Sequence, residues 1–104
     1  MRSGPATGII AIDCEMVGVG TYGERSALAR CSIVNVRGEC VYDKFVKPIE
    51  KVSDYRTLVS GVTAQDLHHA VPFKQAQQEI ADIIKDRTLV GHGLSNDFEV
   101  YLTL

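Results

Sequence analysis

The chain has 104 residues, a formal net charge of −2 and a pI near 5.8. Its hydrophobic fraction of 45% is typical of a globular domain, and the length suffices for one small domain with a modest core. The acidic balance excludes a protein that binds nucleic acid through bulk positive charge, so such a function would have to rest on a local site.

Cysteine content and hydropathy indicate which cellular compartment the chain suits. Cys14, Cys31 and Cys40 are an odd number without a CxxC pair, which argues against a disulfide framework and favours a reducing, intracellular compartment. No apolar run approaches the roughly 20 residues that span a bilayer. No secretory signal pattern is recognisable at the N-terminus.

The first half of the chain predicts strands. Residues 1–7, MRSGPAT, are expected to be a flexible lead-in. Residues 9–16, IIAIDCEM, are apolar on both faces and predict a central strand, followed by a flexible loop or wide hairpin in the glycine-rich VGVGTYGERS. Residues 27–36 and 40–47 predict an antiparallel hairpin, in which Gly38 supplies the positive φ of a tight turn.

The second half predicts helices around one short strand. Thr63 and Asp66 have the spacing of a capping box and predict a short helix, and Pro72 suits the first position of a longer one. Residues 88–91, TLVG, predict a short buried strand, and Ser95 or Asn96 is the expected cap of a last helix. The apolar face of the longer helix consists of Phe73, Ala76, Ile80, Ile83 and Ile84.

This order of elements predicts an α/β fold, in which a mixed sheet is flanked by helices. A complete domain of this type would normally continue beyond the last helix. We therefore expect residues 8–104 to be the N-terminal part of such a domain, truncated at its C-terminus.

Two carboxylates interrupt the first apolar strand. Asp13 and Glu15 point to the same face because side chains alternate along a strand. Two carboxylates that lie so close together repel each other, and a hard divalent cation, which binds oxygen ligands, would neutralise them. Mg²⁺ or Mn²⁺ fits best, because no Cys/His cluster accompanies the pair. Alternatively, the two side chains are solvated or paired with Arg25 or Arg30.

Asp97 is the candidate for a third carboxylate. It follows the predicted strand at residues 88–91 and lies in the first turn of the last helix, which is where α/β sheets place their sites. By itself, an acid at this position also suits the helix dipole.

Five segments carry a resemblance to a known family. The segments AIDCEMVGVG, ALARCSIVN, YDKFVKP, DYRTLVSGVT and LVGHGLSNDF resemble the DEDD-type (DEDDh) 3′–5′ exonucleases of the RNase H-like superfamily, and most closely the RNA exonuclease 4-like group. The resemblance runs from about Gly8 to Phe98. It implies an RNase H-like fold and an enzyme that acts at the 3′ end of RNA, or of single-stranded DNA. It also implies a role in RNA processing and a location in the nucleus or nucleolus.

The resemblance also implies roles for individual residues. The first family motif supplies an Asp and a Glu, which match Asp13 and Glu15, and the second supplies an Asp, which matches Asp97. The implied chemistry is phosphodiester hydrolysis with two Mg²⁺ or Mn²⁺ ions. Asp13 would bridge both ions, Glu15 would hold the ion that bears the attacking water, and Asp97 would complete the second site.

The third family motif, a His followed five residues later by an Asp, is missing from its expected place. His92 and Asp97 have this spacing, but they lie within the segment that matches the second motif. We therefore assign His92 to ordering its loop and name no general base in this chain. Because loss of a general base costs a factor of about 10² to 10⁴ in rate, we expect the chain to be inactive or nearly so by itself.

Substrate contacts are less sharply indicated. Met16 either fills the core or, as the resemblance suggests, packs against the terminal nucleotide. Arg56 either contacts the terminal ribose or phosphate or forms a salt bridge with Asp54 or Asp43. His68 and His69 are predicted to be surface residues.

Two rival functions belong to other classes. A haloacid-dehalogenase-like phosphatase also has a carboxylate pair after an apolar strand, but it needs a second Asp where this chain has Glu15. A nucleic-acid-binding or scaffold module that has lost the third motif, and with it catalytic activity, would share all the features above.

Overall fold

Within residues 2–91, a mixed six-stranded sheet has the longer of two helices packed on one face. The structure is a computed structural model and describes residues 2–91. Its elements are β1 (Ile9–Val19), β2 (Arg25–Val34), β3 (Cys40–Lys47), β4 (Val52–Asp54), α1 (Thr57–Ser60), β5 (Val71–Pro72), α2 (Phe73–Ile84) and β6 (Thr88–Val90). None of the helices in residues 2–91 is long and apolar enough to cross a membrane.

The strand order is β4-β1-β2-β3-β5, and β6 pairs with β1. Neighbours β1, β2 and β3 are antiparallel, whereas β6 lies parallel to β1 and β5 lies parallel to β3. The predicted α/β fold with a mixed sheet is thus confirmed. The strands β4 and β5 and the helix α1 were not predicted, because each has only two to four residues and shows no hydrophobic periodicity.

The two edges of β1 are occupied differently. β2 pairs with it along one edge from Ala11 to Val19. On the other edge β6 pairs with Ile9–Ala11 and β4 pairs with Gly18 and Val19. Within the part of the chain that is described, the stretch of β1 between Ala11 and Gly18 therefore has a strand neighbour on one side only. This stretch contains both predicted metal carboxylates.

The first hairpin is tighter than predicted. Pairing continues to Val19 and Arg25, so that only residues 20–24 form the loop. Of the two predicted forms, the structure has the hairpin rather than the flexible loop, and its strands extend further into the glycine-rich segment. A side chain at Gly18 would collide with the carbonyl oxygen of Gly23, and a Cβ on Gly23 would lie 2.7 Å from the Cβ of Asp54. The glycines therefore permit close packing of the strand ends.

The second hairpin agrees with its prediction. Gly38 has a φ of 76° in the turn, and its amide donates to the carbonyl oxygen of Asn35. The buried Asn35 side chain accepts hydrogen bonds from the amides of Arg37 and Glu39. This side chain thus satisfies turn amides that no strand partner can reach.

The Thr63–Asp66 capping pair forms without a helix. The amide of Thr63 donates to the Asp66 carboxylate at 3.0 Å, and the amide of Asp66 donates to the Thr63 hydroxyl at 3.3 Å. The following residues make i to i+3 hydrogen bonds and form consecutive turns, so the predicted short helix was wrong. The longer helix begins at Phe73, directly after Pro72.

Residues 2–7 are attached to the sheet in the structure. The amide of Gly4 donates to the Cys40 carbonyl at 3.0 Å, and the Cys40 amide donates to the Arg2 carbonyl at 2.7 Å. The Asn35 side chain also donates to the Pro5 carbonyl. The segment predicted to be a flexible lead-in therefore has partners that the sequence did not suggest.

Two apolar clusters lie on opposite faces of the sheet. The first cluster fills the space between the sheet and α2, and the predicted helix face packs into it through Phe73, Ala76 and Ile80. The second cluster consists of Val17, Ala29, Val62 and Leu67. In β6 only Leu89 packs against the first cluster, while Thr88 and Val90 are exposed. The strand at residues 88–91 is confirmed, but its predicted burial was wrong.

Candidate active site

The alternation of side chains along β1 orients the two carboxylates. Ile10 and Ile12 are buried in the first cluster, with Cys14 and Met16 packed against it. Asp13 and Glu15 lie between these residues and therefore point to the opposite face. Asp13 is exposed and Glu15 is half-buried. The strand thus places the two carboxylates side by side, as the sequence predicted.

The two carboxylates repel each other. The pKa of Glu15 is raised above its ordinary value, first by burial and then by the negative charge of Asp13, while the charge of Arg30 acts in the opposite direction. A carboxyl group with a raised pKa is destabilised as the anion, and a cation placed between the two side chains would relieve this. The pair is therefore a favourable place for a metal ion.

Neither carboxylate is paired with the arginines considered as partners. Arg25 forms a bidentate pair with Glu50, at 2.6 and 2.8 Å. Arg30 lies directly across from Glu15 in the sheet, yet its guanidinium binds Asp43 with two hydrogen bonds of 2.9 and 2.8 Å. Among residues 2–91 no basic side chain lies within ion-pair distance of Asp13 or Glu15.

Asp43 has a distinct position on this face. It lies opposite Ser32, whose hydroxyl donates to it at 3.0 Å, and the pairing with Arg30 lowers the pKa of its carboxyl. Arg30 also lies over the ring of Phe45, 5.4 Å from its centroid. Asp43 and Phe45 thus hold the guanidinium on the β3 side of β2, away from Glu15. The predicted hairpin already brought these strands together, but the direction of the side chain was not readable from the sequence.

The third predicted carboxylate lies outside the described residues. The same is true of His92, Ser95, Asn96 and the helix predicted around them. The register of β6 gives the nearest fixed point, because Val90 lies beside Ala11, two residues before Asp13. The described chain therefore ends next to the carboxylate pair.

The donor set suits a hard divalent cation but is incomplete within residues 2–91. No group of three His, Cys, Asp or Glu side chains is clustered there. Asp13 and Glu15 supply only oxygen atoms, which Mg²⁺ and Mn²⁺ prefer, and the described residues contain no imidazole or thiolate cluster that would favour a softer metal. These two residues would hold the metal, and at least one ligand would have to come from elsewhere.

Arg56 stabilises the first hairpin. Its guanidinium donates to the hydroxyl of Ser26 and to the carbonyl of Gly23, both at 2.9 Å. Its own amide donates to the Asp54 carboxylate at 2.9 Å, and its φ is 51°. The guanidinium therefore forms neither of the two salt bridges that we considered. A contact with substrate stays a prediction.

Met16 and the histidine pair occupy different surroundings. Met16 packs against the first cluster, which agrees with a core residue. Its contact with a nucleotide stays a prediction. His68 and His69 are exposed, as predicted.

A comparison with known protein families separates the two enzymatic candidates. A family described as exonuclease (RNase_T) matches residues 10–102. The chain belongs to this exonuclease family. Its members generally depend on a divalent metal ion, which agrees with the acidic pair on β1. The match also sets aside the haloacid-dehalogenase-like phosphatase.

Individual relatives agree with this assignment. The chain is 56% identical to RNA exonuclease 4 of Xenopus laevis over 94 residues, and 52% identical to the human apoptosis-enhancing nuclease over 90 residues. These alignments cover 90% and 86% of the chain but only 22% and 28% of the relatives. The chain thus spans about a quarter of the length of these relatives.

Solved structures share the fold. The Pan2 catalytic unit of Neurospora crassa, with a protease and a nuclease domain, superimposes with a TM-score of 0.80 at 30% identity. The Saccharomyces cerevisiae Pan2 exonuclease module in complex with AAGGAA RNA gives a TM-score of 0.77 at 26% identity. Both matches cover 93% of this chain, and 17% and 19% of the solved chains. The predicted RNase H-like fold is thereby confirmed.

Proposed function

We propose that this chain is part of a metal-dependent 3′–5′ exonuclease that hydrolyses RNA from its 3′ end. The observation that carries the proposal is the pair Asp13 and Glu15, which share one face of β1 and have no basic partner in residues 2–91. Membership of the exonuclease family gives this pair its chemical context. We propose RNA as the substrate because relatives are named RNA exonucleases, and single-stranded DNA is the second substrate to test.

Asp13, Glu15 and Asp97 would hold two Mg²⁺ or Mn²⁺ ions. Such ions activate a water molecule for attack and stabilise the leaving 3′ oxygen when bound. The role of the protein is to hold the carboxylates on a rigid central strand. The metal ligands are then already in place, and little reorganisation is needed when the metal binds. Asp43 contributes by holding the Arg30 cation away from Glu15.

We further propose that these 104 residues are inactive or nearly so by themselves, because they contain no assigned general base. The loss of such a base costs a factor of about 10² to 10⁴ in rate. A nuclear or nucleolar location stays a prediction from the family resemblance.

A titration of the chain with Mn²⁺ by calorimetry tests the metal site directly. We expect measurable binding by the unmodified chain, and at least about ten-fold weaker binding by Asp13→Asn, because a ligand is then neutral. Asp82→Asn is the matched control, since Asp82 is an exposed carboxylate on α2 that accepts a hydrogen bond from Gln78. Equal Mn²⁺ affinities for all three proteins would contradict the proposal.

A second assay tests the direction of hydrolysis. With Mn²⁺ and a short RNA labelled at its 5′ end, we expect a slow ladder of products that shorten one nucleotide at a time. A circular RNA of the same sequence has no 3′ end and should stay intact. Cleavage of the circle, or a rate that survives Asp97→Ala without loss, would contradict a 3′–5′ exonuclease at this site. Tight RNA binding without any turnover would favour the non-catalytic binding module.

A further inference from the structure

A second candidate site lies where β3 and β4 meet the turns around residue 66. A groove of about 510 Å³ is lined by Lys47, Lys51, Val52, Tyr55, Leu67 and His68, among others. This volume lies within the roughly 300–1,000 Å³ of ordinary small-ligand pockets, so one nucleotide-sized group fits. We call this the basic groove.

The charge of the basic groove is opposite to that of the protein as a whole. The chain carries a net charge of −2, yet Lys47 and Lys51 line the groove and no carboxylate in residues 2–91 lies within ion-pair distance of either. Glu50 also lines the groove, but its carboxylate is bound by Arg25. A negatively charged ligand is therefore favoured here.

The basic groove opens on the same side of the sheet as the carboxylate pair. Glu15 lies across from Arg30, and Arg30 lies across from Phe45. Lys47 is two residues beyond Phe45 in β3 and so points to the same face. Tyr55 and Phe45 both pack against the second cluster, which lies on this same face of the sheet.

The separation can be estimated from the geometry of the sheet. Two strand spacings and two residues along β3 separate Glu15 from Lys47, which gives roughly 12 Å between their Cα atoms. A stacked strand advances about 3.4 Å for each nucleotide, so this distance corresponds to about three or four nucleotides. An oligonucleotide with its 3′ end at Asp13 and Glu15 can thus reach the groove.

We infer that the basic groove holds single-stranded RNA upstream of its 3′ end, with Lys47 and Lys51 on the phosphates and Tyr55 stacked on a base. Two cations beside one aromatic ring are the combination with which proteins bind single strands without sequence preference. The direction of the strand rests on the proposed function, whereas the binding itself does not.

Fluorescence anisotropy with labelled decauridylate tests this inference in EDTA, where metal-dependent hydrolysis cannot occur. The slope of log K against log salt should fall in magnitude by about 1.4 in Lys47→Gln/Lys51→Gln, because two phosphate contacts are lost. Lys74→Gln/Lys85→Gln is the matched control, with the same change in charge at two exposed lysines in and just after α2. That pair should leave the slope unchanged.

A change at Tyr55 tests the stacking contact separately. Tyr55→Leu keeps an apolar side chain against the second cluster but removes the ring, and should weaken binding about 5- to 150-fold. Tyr55→Phe keeps the ring and should bind as tightly as the unmodified chain. Circular dichroism of each variant verifies that the fold is intact before affinities are compared.

Several results would overturn the inference. These are equal slopes for the two lysine pairs, equal binding of an RNA duplex, equal binding of decaglutamate, or no binding of decauridylate at low salt. Asp13→Asn separates the two proposals. It should leave RNA binding in EDTA intact while it weakens Mn²⁺ binding at least about ten-fold, so a failure of the groove and a failure of the metal site give different results.

Discussion

The two faces of β1 differ in what covers them, although the same eleven residues supply both. On one face Ile10 and Ile12 are sealed between the sheet and α2. On the other face Asp13 and Glu15 have no basic partner in residues 2–91, and the pKa of Glu15 is raised. One face therefore stabilises the strand, and the other uses the resulting rigidity to hold two like charges close together.

This contrast predicts that stability and metal binding depend on different faces of β1. Changes on the covered face should lower the free energy of unfolding and leave metal affinity alone. Changes on the acidic face should act mainly on metal affinity, with only small effects on the free energy of unfolding. Four experiments test the separation, in order of the size of the expected effect.

The largest effect should come from Ile33, which is fully buried in β2 opposite Ile12. Ile33→Ala should lower the free energy of unfolding by about 2–5 kcal/mol, because it leaves a cavity in the first cluster. Urea denaturation followed by circular dichroism measures this. Ile9→Ala is the control, since Ile9 is 51% exposed on the acidic face and should cost far less. Equal costs for the two variants would mean that the faces do not differ as described.

A smaller effect should come from the link between β3 and α2. The buried Tyr42 hydroxyl donates to the Glu79 carboxylate at 2.8 Å, and Tyr42→Phe should lower the free energy of unfolding by about 1.5–3 kcal/mol, as for hydrogen bonds to charged groups. The same denaturation experiment applies. Mn²⁺ affinity should stay unchanged, and a parallel loss of affinity would show that the two faces are coupled.

On the acidic face, Asp43→Asn should release Arg30 toward Glu15. An exposed ion pair is worth about 0–1 kcal/mol, so Mn²⁺ affinity should fall by up to about five-fold as the guanidinium competes for the carboxylate. Calorimetry measures the affinity. Arg30→Gln in the Asp43→Asn background should restore it, because no cation is then left to compete. If the double variant binds Mn²⁺ as weakly as Asp43→Asn, Asp43 acts by another route.

The smallest effect concerns pH. Burial and Asp13 raise the pKa of Glu15 in the folded protein above 4.5, so the folded state binds more protons than the unfolded state just above that pH. The Glu15 contribution to stability is then present below pH 4.5 and is lost as pH rises through the folded pKa. Glu15→Gln should remove this loss. The carboxyls of Asp43, Glu39, Glu50 and Glu79 have lowered pKa values and give the opposite slope.

The measurement is therefore the difference in free energy of unfolding between the unmodified chain and Glu15→Gln, determined without metal from pH 4 to pH 7. This difference should grow in favour of Glu15→Gln as pH rises. A difference that is constant over the range would mean that Glu15 has an ordinary pKa in the folded protein.

Much of the fold was readable from local patterns. The apolar run in residues 9–16 predicted β1, the hairpin turn at Gly38 was confirmed, and the apolar spacing after Pro72 predicted α2. The predictions that differ from the structure concern segments in which tertiary contacts override the local sequence pattern. The glycine-rich segment after Met16 was predicted to be a flexible loop or a wide hairpin. It is a tight hairpin, because Gly18 and Gly23 permit close packing against each other and Asp54. Thr63 and Asp66 cap each other, yet only turns follow.

For the candidate site, the sequence by itself determined that Asp13 and Glu15 share a face, because a period of two is a property of any strand. It also determined the family, through residues spread from Gly8 to Phe98. Only the tertiary structure decided that Arg30 binds Asp43 rather than Glu15, that Arg56 binds the first hairpin, and that Lys47 and Lys51 line one groove. These facts depend on which strands become neighbours and on which of several possible partners a long side chain binds. No local sequence pattern encodes either.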